Sequence, residues 1–269
     1  MMVVERVGRS AIRSAEETGT LALQLWAVLL TLPRIMPFAG RRRRWRTAVH
    51  QMLSIGAEAL PMVGIMSFCV GYVLALQSAA ELRRFSAVQF VVDLVAISFT
   101  RELGALITAI AVSGRTASAI SAEVGTMVVT EEIDALRVMG LDPVEFTLAP
   151  KYLGALITVP CLTVLSTFCA VLAGYLFLWS SIDMSLRAYF HEVADSILLR
   201  DVWLTLIKSA VFATIIVQVG YREGLRARGG PEAVGMAATS AVVKSTFLVI
   251  VADLIATAMF YLMGWSAAG

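Results

Sequence analysis

Apolar residues fall into long runs along this chain, and short polar segments separate the runs. A helix that crosses the hydrocarbon core of a bilayer needs about 20 mainly apolar residues. Five runs reach that length: Met52–Leu76, Val88–Val112, Tyr152–Trp179, Val202–Gly220 and Ala241–Gly264. The pattern therefore predicts an all-α integral membrane protein with five transmembrane helices.

The N-terminal region has a different pattern. Its apolar run, Leu21–Leu32, is too short to span a bilayer comfortably, and a basic block, Arg41–Arg46, follows it. We expect Ser14–Met36 to form an interfacial helix with Trp26 at headgroup depth, and a sixth short span is the alternative. The chain then divides into an N-terminal cytoplasmic and interfacial region, residues 1–51, and a single five-helix membrane domain, residues 52–269.

Composition supports lipid as the solvent. Hydrophobic residues make up 58% of the 269 residues, and charged residues only 16%, whereas a soluble domain has about 25% charged residues. The net charge of +2 is too small to indicate a nucleic-acid partner. His50 and His191 are far apart in sequence and belong to no cluster with metal-ligand spacing, so no metal site is predicted.

Basic residues near the ends of the spans predict the orientation. Arginines are concentrated before the first span, and Arg222, Arg226 and Arg228 follow the fourth. Positive charge favours the cytoplasmic side. We therefore expect a cytoplasmic N-terminus and a C-terminus on the far side of the membrane, with the loops Gln77–Ala87 and Ser180–Asp201 facing outward.

An acidic segment, TEEIDALRVMG (Thr130–Gly140), connects the second and third spans on the cytoplasmic side. Thr130 is a plausible N-cap, and Gly140 is placed to end a helix of about ten residues. Ile133, Leu136 and Met139 share one apolar edge. A helix resting on the bilayer is the ordinary interpretation, but acidic residues bind anionic lipid poorly, so docking of a soluble partner is favoured. The residues of interest are Glu131, Glu132, Ile133, Asp134, Leu136, Arg137, Met139 and Gly140.

Ionisable residues also occur inside the spans, where each costs at least about 2.5 kcal/mol and is a functional candidate. Arg101 and Glu102 interrupt the second span. Adjacent helical residues point about 100° apart, so these two are poorly placed to pair with each other. Lys208 in the fourth span, and Lys244 and Asp253 in the fifth, are the candidate partners. A Lys208–Asp253 contact is at least as consistent with a structural ion pair as with a substrate role.

The chain lacks the G-x-x-x-x-G-K-[ST] phosphate loop, so it does not bind ATP by that route. It also lacks the G-x-S-x-G and H-E-x-x-H motifs of common hydrolases. We expect no cofactor in this chain and no catalytic residues.

Three stretches resemble the MlaE-type permeases. These are the membrane subunits of ABC transporters that move phospholipids, and they are related to the YrbE proteins of Mce systems. The longest stretch is RELGALITAIAVSGRTASAISAEVGTMVVTEEIDALRVMGLDPVEFTLAPKYLG, and the others are LIKSAVFATIIVQVGYREGLRARGGPEAVGMAATSAVV and GYVLALQSA. Small departures are Ala105, where the family often has proline, and Glu132, where it often has glutamine.

The resemblance implies an assembly around this chain. It implies a homodimer in the bacterial inner membrane, with two copies of a separate ATPase that bind ATP and magnesium, and a periplasmic Mce-domain lipid-binding protein. It makes Glu131–Gly140 the coupling helix that fits the ATPase. It also implies a phospholipid pocket at the dimer centre. The matching pocket residues are Leu74, Gln77, Phe85, Arg101 and Glu102.

Other classes remain as alternatives. One is an ATP-independent channel, whose charged spans would line a wet pore, and another is a structural membrane scaffold. An intramembrane enzyme with Glu102 or Glu58 as acid or base is disfavoured because no nucleophile–base pair accompanies them.

Overall fold

The computed structural model describes residues 42–263, and the predicted interfacial helix at Ser14–Met36 lies outside this range. The described part is helical with short connections and contains no strand. The α-helices are α1 (Arg42–Leu82), α2 (Val91–Ser98), α3 (Gly104–Val112), α4 (Ser118–Val129), α5 (Glu132–Val138), α6 (Ala149–Ile182), α7 (Leu186–Ser196), α8 (Leu199–Leu225) and α9 (Pro231–Leu262). Short 3₁₀ turns lie at Arg83–Phe85 and Val88–Phe90, and π-helical turns lie at Phe99–Leu103, Ser113–Ala117 and Val144–Leu148.

Five helical segments are long and apolar enough to cross a membrane, which confirms the predicted all-α fold. They are Val49–Phe85, Val88–Val129, Val144–Ile182, Leu199–Leu225 and Pro231–Leu262. The second is one rod in which α2, α3 and α4 are joined by two π-helical turns. Each helical segment is longer than its apolar run. Helical backbone hydrogen bonds do not require apolar side chains, so each helix continues into the polar residues that flank the run.

The first span starts earlier than its hydropathy indicates. α1 already runs at Arg42, ten residues before the predicted start at Met52. The predicted boundary between residues 51 and 52 therefore falls inside a helix, and the division of the chain into two regions stays a prediction.

The spans form one bundle around the rod and α8. α1 packs along α6, while α8 packs against α4, α6 and α9. At Gly224 of α8 an added Cβ would lie 2.8 Å from the Ser121 carbonyl oxygen of α4. Only glycine permits so close an approach of two helix backbones, which is how membrane helices commonly associate.

The fifth span is the most exposed of the five. Within the chain, only 11% of the most apolar stretch of this span is buried, whereas 56% of the corresponding stretch of the second span is buried. The uncovered face is apolar and includes Val243, Phe247 and Leu254. In a bilayer such a face meets lipid or another membrane helix.

The connection between α6 and α8 contains a helix that the sequence reasoning treated as a loop. In α7 the Ser185 side chain accepts a hydrogen bond from the Ala188 N–H at 3.3 Å and caps the helix. Tyr189 is fully buried and donates its hydroxyl to the Val171 carbonyl of α6 at 2.8 Å. Burial raises the pKa of Tyr189 above its ordinary value. Ser196 donates a hydrogen bond to Asp93 of α2, so α7 is fixed across one end of the bundle.

Candidate functional site

Arg101 and Glu102 lie in the π-helical turn Phe99–Leu103. The N–H of Gly104 donates to the Phe99 carbonyl, which closes the wider turn. A Cβ on Gly104 would lie 2.6 Å from that carbonyl oxygen and 2.5 Å from the Thr167 hydroxyl of α6, so this position requires glycine. Single π-helical turns frequently occur at functional sites. The RELG sequence is therefore a built local structure that directs two charges into the bundle.

Arg101 is paired with a residue that the sequence reasoning placed in an outward loop. Its Nε donates to Oδ2 of Asp201 at 3.0 Å. Asp201 lies in the first turn of α8 and is only 4% exposed. A carboxylate at the start of a helix, within reach of the next span, is the signal that would have identified this partner.

Glu102 is paired with Lys208, as predicted. The Lys208 ammonium lies 2.5 Å from Glu102 Oε2 and 2.8 Å from Asp253 Oδ1, and the lysine side chain is 2% exposed. Thr257 accepts a hydrogen bond from Lys208 at 3.0 Å and donates one to Glu102. Lys208 therefore bridges the rod and α9, and the predicted Lys208–Asp253 contact is confirmed.

These contacts join two cations and three carboxylates across three elements of the fold, the π-helical turn Phe99–Leu103, α8 and α9. Charges at this depth are tolerated because each lies against an opposite charge, since breaking a buried pair leaves one ion without compensation. We call Arg101, Asp201, Glu102, Lys208 and Asp253 the charged cluster.

A cavity of about 100 Å³ adjoins the charged cluster. Arg101, Glu102, Asp201 and Thr257 form its polar wall, and larger side chains of α8 and α9 complete it. The cavity does not include the other residues that match the family's lipid pocket. Leu74 is half-buried, and Gln77 and Phe85 are exposed, with Phe85 in the 3₁₀ turn beyond α1. Of the predicted pocket residues, this cavity therefore includes only Arg101 and Glu102.

Lys244 is not a partner of Arg101 or Glu102, which corrects one prediction. Its ammonium lies 2.6 Å from Oε2 of Glu223, near the α5 end of α8. Glu223 also accepts from Ser240 at 2.7 Å and from Arg226 at 3.1 Å. Lys244 lies about one helical turn after Ser240 on α9. Its ion pair with Glu223 therefore belongs to the α5 end of the bundle and not to the charged cluster.

The start of α5 differs from the prediction. Thr130 is not its N-cap, because the Thr130 hydroxyl donates back to the Thr126 carbonyl of α4 at 3.0 Å. Glu131 takes the N-cap position in a left-handed conformation, with φ of 61°. α4 thus continues up to the turn, and α5 has seven residues instead of about ten.

The end of α5 is as predicted. Gly140 has a φ of 70°, and the N–H groups of Gly140 and Leu141 donate to the carbonyls of Arg137 and Leu136. This pair of bonds is the Schellman arrangement that ends a helix. Asp142 then accepts a hydrogen bond from the Val144 N–H at 2.9 Å, where the next helix begins.

The two faces of α5 are clearly different. Ile133 and Leu136 are buried against the bundle, as expected, but Met139 is 63% exposed because the helix ends before it completes that edge. The solvent face carries Glu131, Glu132, Asp134 and Arg137. Val138, which the sequence reasoning did not select, is 89% exposed. Together Val138 and Met139 form an uncovered apolar tip, which we call the α5 tip.

Helix α8 makes polar contacts along its whole length between α5 and the charged cluster. Near α5, Glu223 accepts hydrogen bonds from Lys244 at 2.6 Å and from Ser240 at 2.7 Å, both on α9. Further along, Gln218 accepts a hydrogen bond from the Tyr152 hydroxyl of α6 at 2.8 Å, and both side chains are buried. Lys208 and Asp201 follow at the other end. Buried polar contacts of this kind fix the register of one helix against its neighbours.

Five apolar spans, with a charged cluster between them and an exposed helix on a connecting loop, define a multi-pass α-helical membrane protein. Residues 48–259 match the sequence profile described as Permease MlaE, and the chain belongs to that family. It is a permease subunit, and the resemblance noted in the sequence is confirmed.

Relatives cover nearly the whole chain. A probable ABC transporter permease protein of Rickettsia felis is 33% identical over 96% of this chain and 98% of its own length. The intermembrane phospholipid transport system permease protein MlaE of Haemophilus influenzae is 28% identical over 96% of this chain and 97% of its own. A probable ABC transporter permease protein of Synechocystis is 34% identical over 80% of this chain and 81% of its own. The family favours a transporter subunit over an intramembrane enzyme.

Proposed function

We propose that this chain is the permease subunit of an ABC transporter that moves phospholipids between the bacterial inner membrane and a periplasmic Mce-domain partner. A separate cytoplasmic ATPase dimer, which binds ATP and Mg²⁺, drives the movement through α5 as the coupling helix. The N-terminus and α5 lie in the cytoplasm, and α7 and the C-terminus lie on the periplasmic side.

The observation that carries this proposal is the exposed surface of α5. The α5 tip places two apolar side chains in water beside three carboxylates, although Ile133 and Leu136 already anchor the helix. Exposed apolar groups with a polar rim are typical of a protein-binding surface. The name of the Rickettsia relative, an ABC transporter permease, supports an ATPase as the protein bound there.

The mechanism follows from how α5 is connected to the charged cluster. ATP binding would bring two ATPases together and displace α5 as a rigid body. The packing of α6 against α8, which includes the hydrogen bond from Tyr152 to Gln218, would pass the displacement to α8. Because Lys208 and Asp201 belong to the same helix, the cavity at Arg101 and Glu102 would change shape. Leu74 and Phe85 would contact acyl chains, and Arg101 would hold a phosphate.

A homodimer accounts for the exposed fifth span. α9 buries little surface within one chain, and its apolar face would otherwise meet only lipid. In the dimer, the pocket would form between two copies and bring Leu74, Gln77 and Phe85 of one or both chains close to the charged cluster.

Substitutions on the α5 tip test the coupling. Val138→Asp places a charge in the docking surface, so we expect co-purification of the ATPase to be lost while the permease still inserts and folds. Val138→Thr is the matched control, because it keeps the β-branched shape without a charge. Since Leu136 is buried, a substitution there would confuse docking with folding. Normal co-purification of the Val138→Asp variant would exclude α5 as the docking element.

A charge swap tests the role of Arg101. In a reconstituted complex, Arg101→Asp should stop lipid transfer. The double variant Arg101→Asp with Asp201→Arg restores an ion pair but moves the cation to α8. We expect it to recover folding and not lipid transfer if Arg101 holds a phosphate. Full recovery of lipid transfer would show that Arg101 has only a structural role.

A further inference from the structure

The charged cluster does not balance its own charge. It contains two cations, Arg101 and Lys208, and three carboxylates, so its net charge is −1. The cavity beside it shows the same excess, because it is lined by one cation, Arg101, and by the carboxylates of Glu102 and Asp201. Arg200 precedes Asp201 in sequence but is not part of this lining. Since an uncompensated charge among membrane spans is costly, the cluster favours the binding of one further cation.

Glu102 is the carboxylate of the cluster that a ligand can reach. Its side chain is 36% exposed, whereas the side chains of Asp253 and Asp201 are 14% and 4% exposed. Within the described residues, Lys208 and Thr257 donate to Glu102 Oε2, and Thr257 alone donates to Oε1. A carboxylate offers about four acceptor positions, so Glu102 can accept one more hydrogen bond.

Arg101 places a cation next to this carboxylate. Its Nε donates to Asp201, while its two terminal nitrogens make no hydrogen bond within the described residues. The Arg101 side chain is 32% exposed and lines the same cavity as Glu102. A free metal ion in the cavity would be repelled by the guanidinium, whereas a ligand with one anionic and one cationic group finds a partner for each. The cavity is therefore complementary to a zwitterion.

The cavity lies near the ends of two spans. Asp201 is in the first turn of α8, and Tyr261, which also lines the cavity, is in the last turn of α9. The 27 residues of α8 extend about 40 Å, which matches the thickness of a bilayer with its headgroup regions. Tyrosine is also enriched at the membrane–water interface. A lipid at this cavity would therefore present its headgroup and not its acyl chains.

We propose that the cavity selects phospholipids with an ethanolamine headgroup, whose phosphate binds the Arg101 guanidinium and whose ammonium donates a hydrogen bond to Glu102. A primary ammonium carries three donors and supplies the positive charge that the cluster lacks. An anionic headgroup, such as that of phosphatidylglycerol, would instead add negative charge beside Glu102 and Asp201. The inference rests on the proposed function, which assigns the phosphate to Arg101, and it adds the chemical class of the substrate.

Native mass spectrometry tests this selection. The full chain in mild detergent is mixed with equal amounts of phosphatidylethanolamine, phosphatidylglycerol and phosphatidylcholine that have identical acyl chains, and the bound lipids are counted. We expect the ethanolamine lipid to bind about 3- to 10-fold more than the glycerol lipid, because Glu102 is partly exposed and its charge is partly screened. The choline lipid should also bind less than the ethanolamine lipid, because its quaternary ammonium has no N–H donor.

Glu102→Gln should remove the preference for the ethanolamine lipid, because it keeps the shape of the side chain and removes its charge. Glu123→Gln is the matched control. Glu123 also lies 2.5 Å from a lysine that is 2% exposed, Lys151, but it does not line the cavity. Its substitution breaks a comparable ion pair and should leave the preference unchanged. The comparison of headgroups in the unmodified chain decides the proposal even if Glu102→Gln does not fold.

Three outcomes would overturn the proposal. Equal binding of the ethanolamine and glycerol lipids by the unmodified chain would mean that a proton or solvent neutralises the excess charge. Equal binding of the ethanolamine and choline lipids would remove the hydrogen bond to Glu102. Loss of the preference on addition of MgCl₂, but not of NaCl at the same ionic strength, would make the cavity a metal site.

The binding measurement contains neither ATPase nor ATP, so its result is independent of transport. Equal binding by a chain whose reconstituted complex transfers phospholipid would overturn this inference alone. A preference in a chain whose complex transfers no phospholipid would support the headgroup selection and overturn the proposed transport.

Discussion

Replacing Lys208 with methionine removes the cation that bridges Glu102 and Asp253 while keeping a side chain of similar length. Lys208 is 2% exposed and lies 2.5 Å and 2.8 Å from the two carboxylates. The substitution leaves two negative charges close together in the bundle without their counterion. We therefore expect a large loss in the free energy of unfolding.

The magnitude follows from the geometry. Two unit charges 2.8 Å apart attract by about 6 kcal/mol at an effective dielectric constant of about 20. The desolvation of the lysine offsets much of this attraction, and removing one partner of a buried pair costs about 3–5 kcal/mol. Because the Glu102 side chain is 36% exposed, its charge is partly screened and the lower part of this range is expected.

The free energy of unfolding can be measured by titrating the chain from mild micelles into a denaturing detergent. The triple variant Lys208→Met, Glu102→Gln and Asp253→Asn removes all three charges and should recover most of the lost stability. Lys244→Met is the matched control: it removes a half-exposed lysine from Glu223, which keeps its bonds from Ser240 and Arg226. We expect it to cost about 1 kcal/mol or less.

Two results would refute the reasoning. A loss below about 1 kcal/mol for Lys208→Met would mean that the carboxylates are solvated or protonated, since a broken buried pair costs several times more. A triple variant as unstable as the single one would mean that the loss comes from packing and not from unpaired charge.

Three further substitutions have defined outcomes. Gly104→Ala should lower the free energy of unfolding by about 1–3 kcal/mol, because the added Cβ would overlap a backbone carbonyl oxygen. Gly114→Ala is the control and should have little effect, because its Cβ would meet open space. Thermal unfolding compares the two variants. Tyr152→Phe removes the hydrogen bond that the Gln218 side chain accepts and should cost about 1 kcal/mol in the same assay. ATP hydrolysis by the assembled complex should also become less dependent on lipid. Gly140→Ala forces an L-residue to a φ of 70° and should lower the free energy of unfolding by about 1–2 kcal/mol. It should also weaken ATPase binding in a pull-down assay. Unchanged binding would show that the end of α5 tolerates rearrangement.

Much of the fold could be predicted from the sequence because the determining forces act locally. The hydrophobic effect selects apolar runs of about 20 residues as spans, and a short acidic helix that ends at glycine is recognisable between two of them. Lys208 and Asp253 were identified as partners because few charges occur within apolar runs, and each needs compensation.

The boundaries of α5 were less predictable. Thr130 is a good N-cap by its chemistry, yet it completes α4 and leaves the N-cap position to Glu131. Which of two adjacent helices takes a residue depends on how both pack. The same holds for Met139, which is exposed because the helix ends before its apolar edge is complete.

By itself, therefore, the sequence determined that this chain spans a membrane five times, where its charges lie, and that a helix protrudes between the second and third spans. Only the tertiary structure decided that Arg101 pairs with Asp201, that Lys244 pairs with Glu223, and that Tyr189 of α7 is buried against α6. Hydropathy and capping depend on neighbours within a few turns of chain, which the sequence displays directly. An ion pair between residues 100 positions apart depends on which helices pack and in what register, and that is fixed only when the whole bundle is assembled.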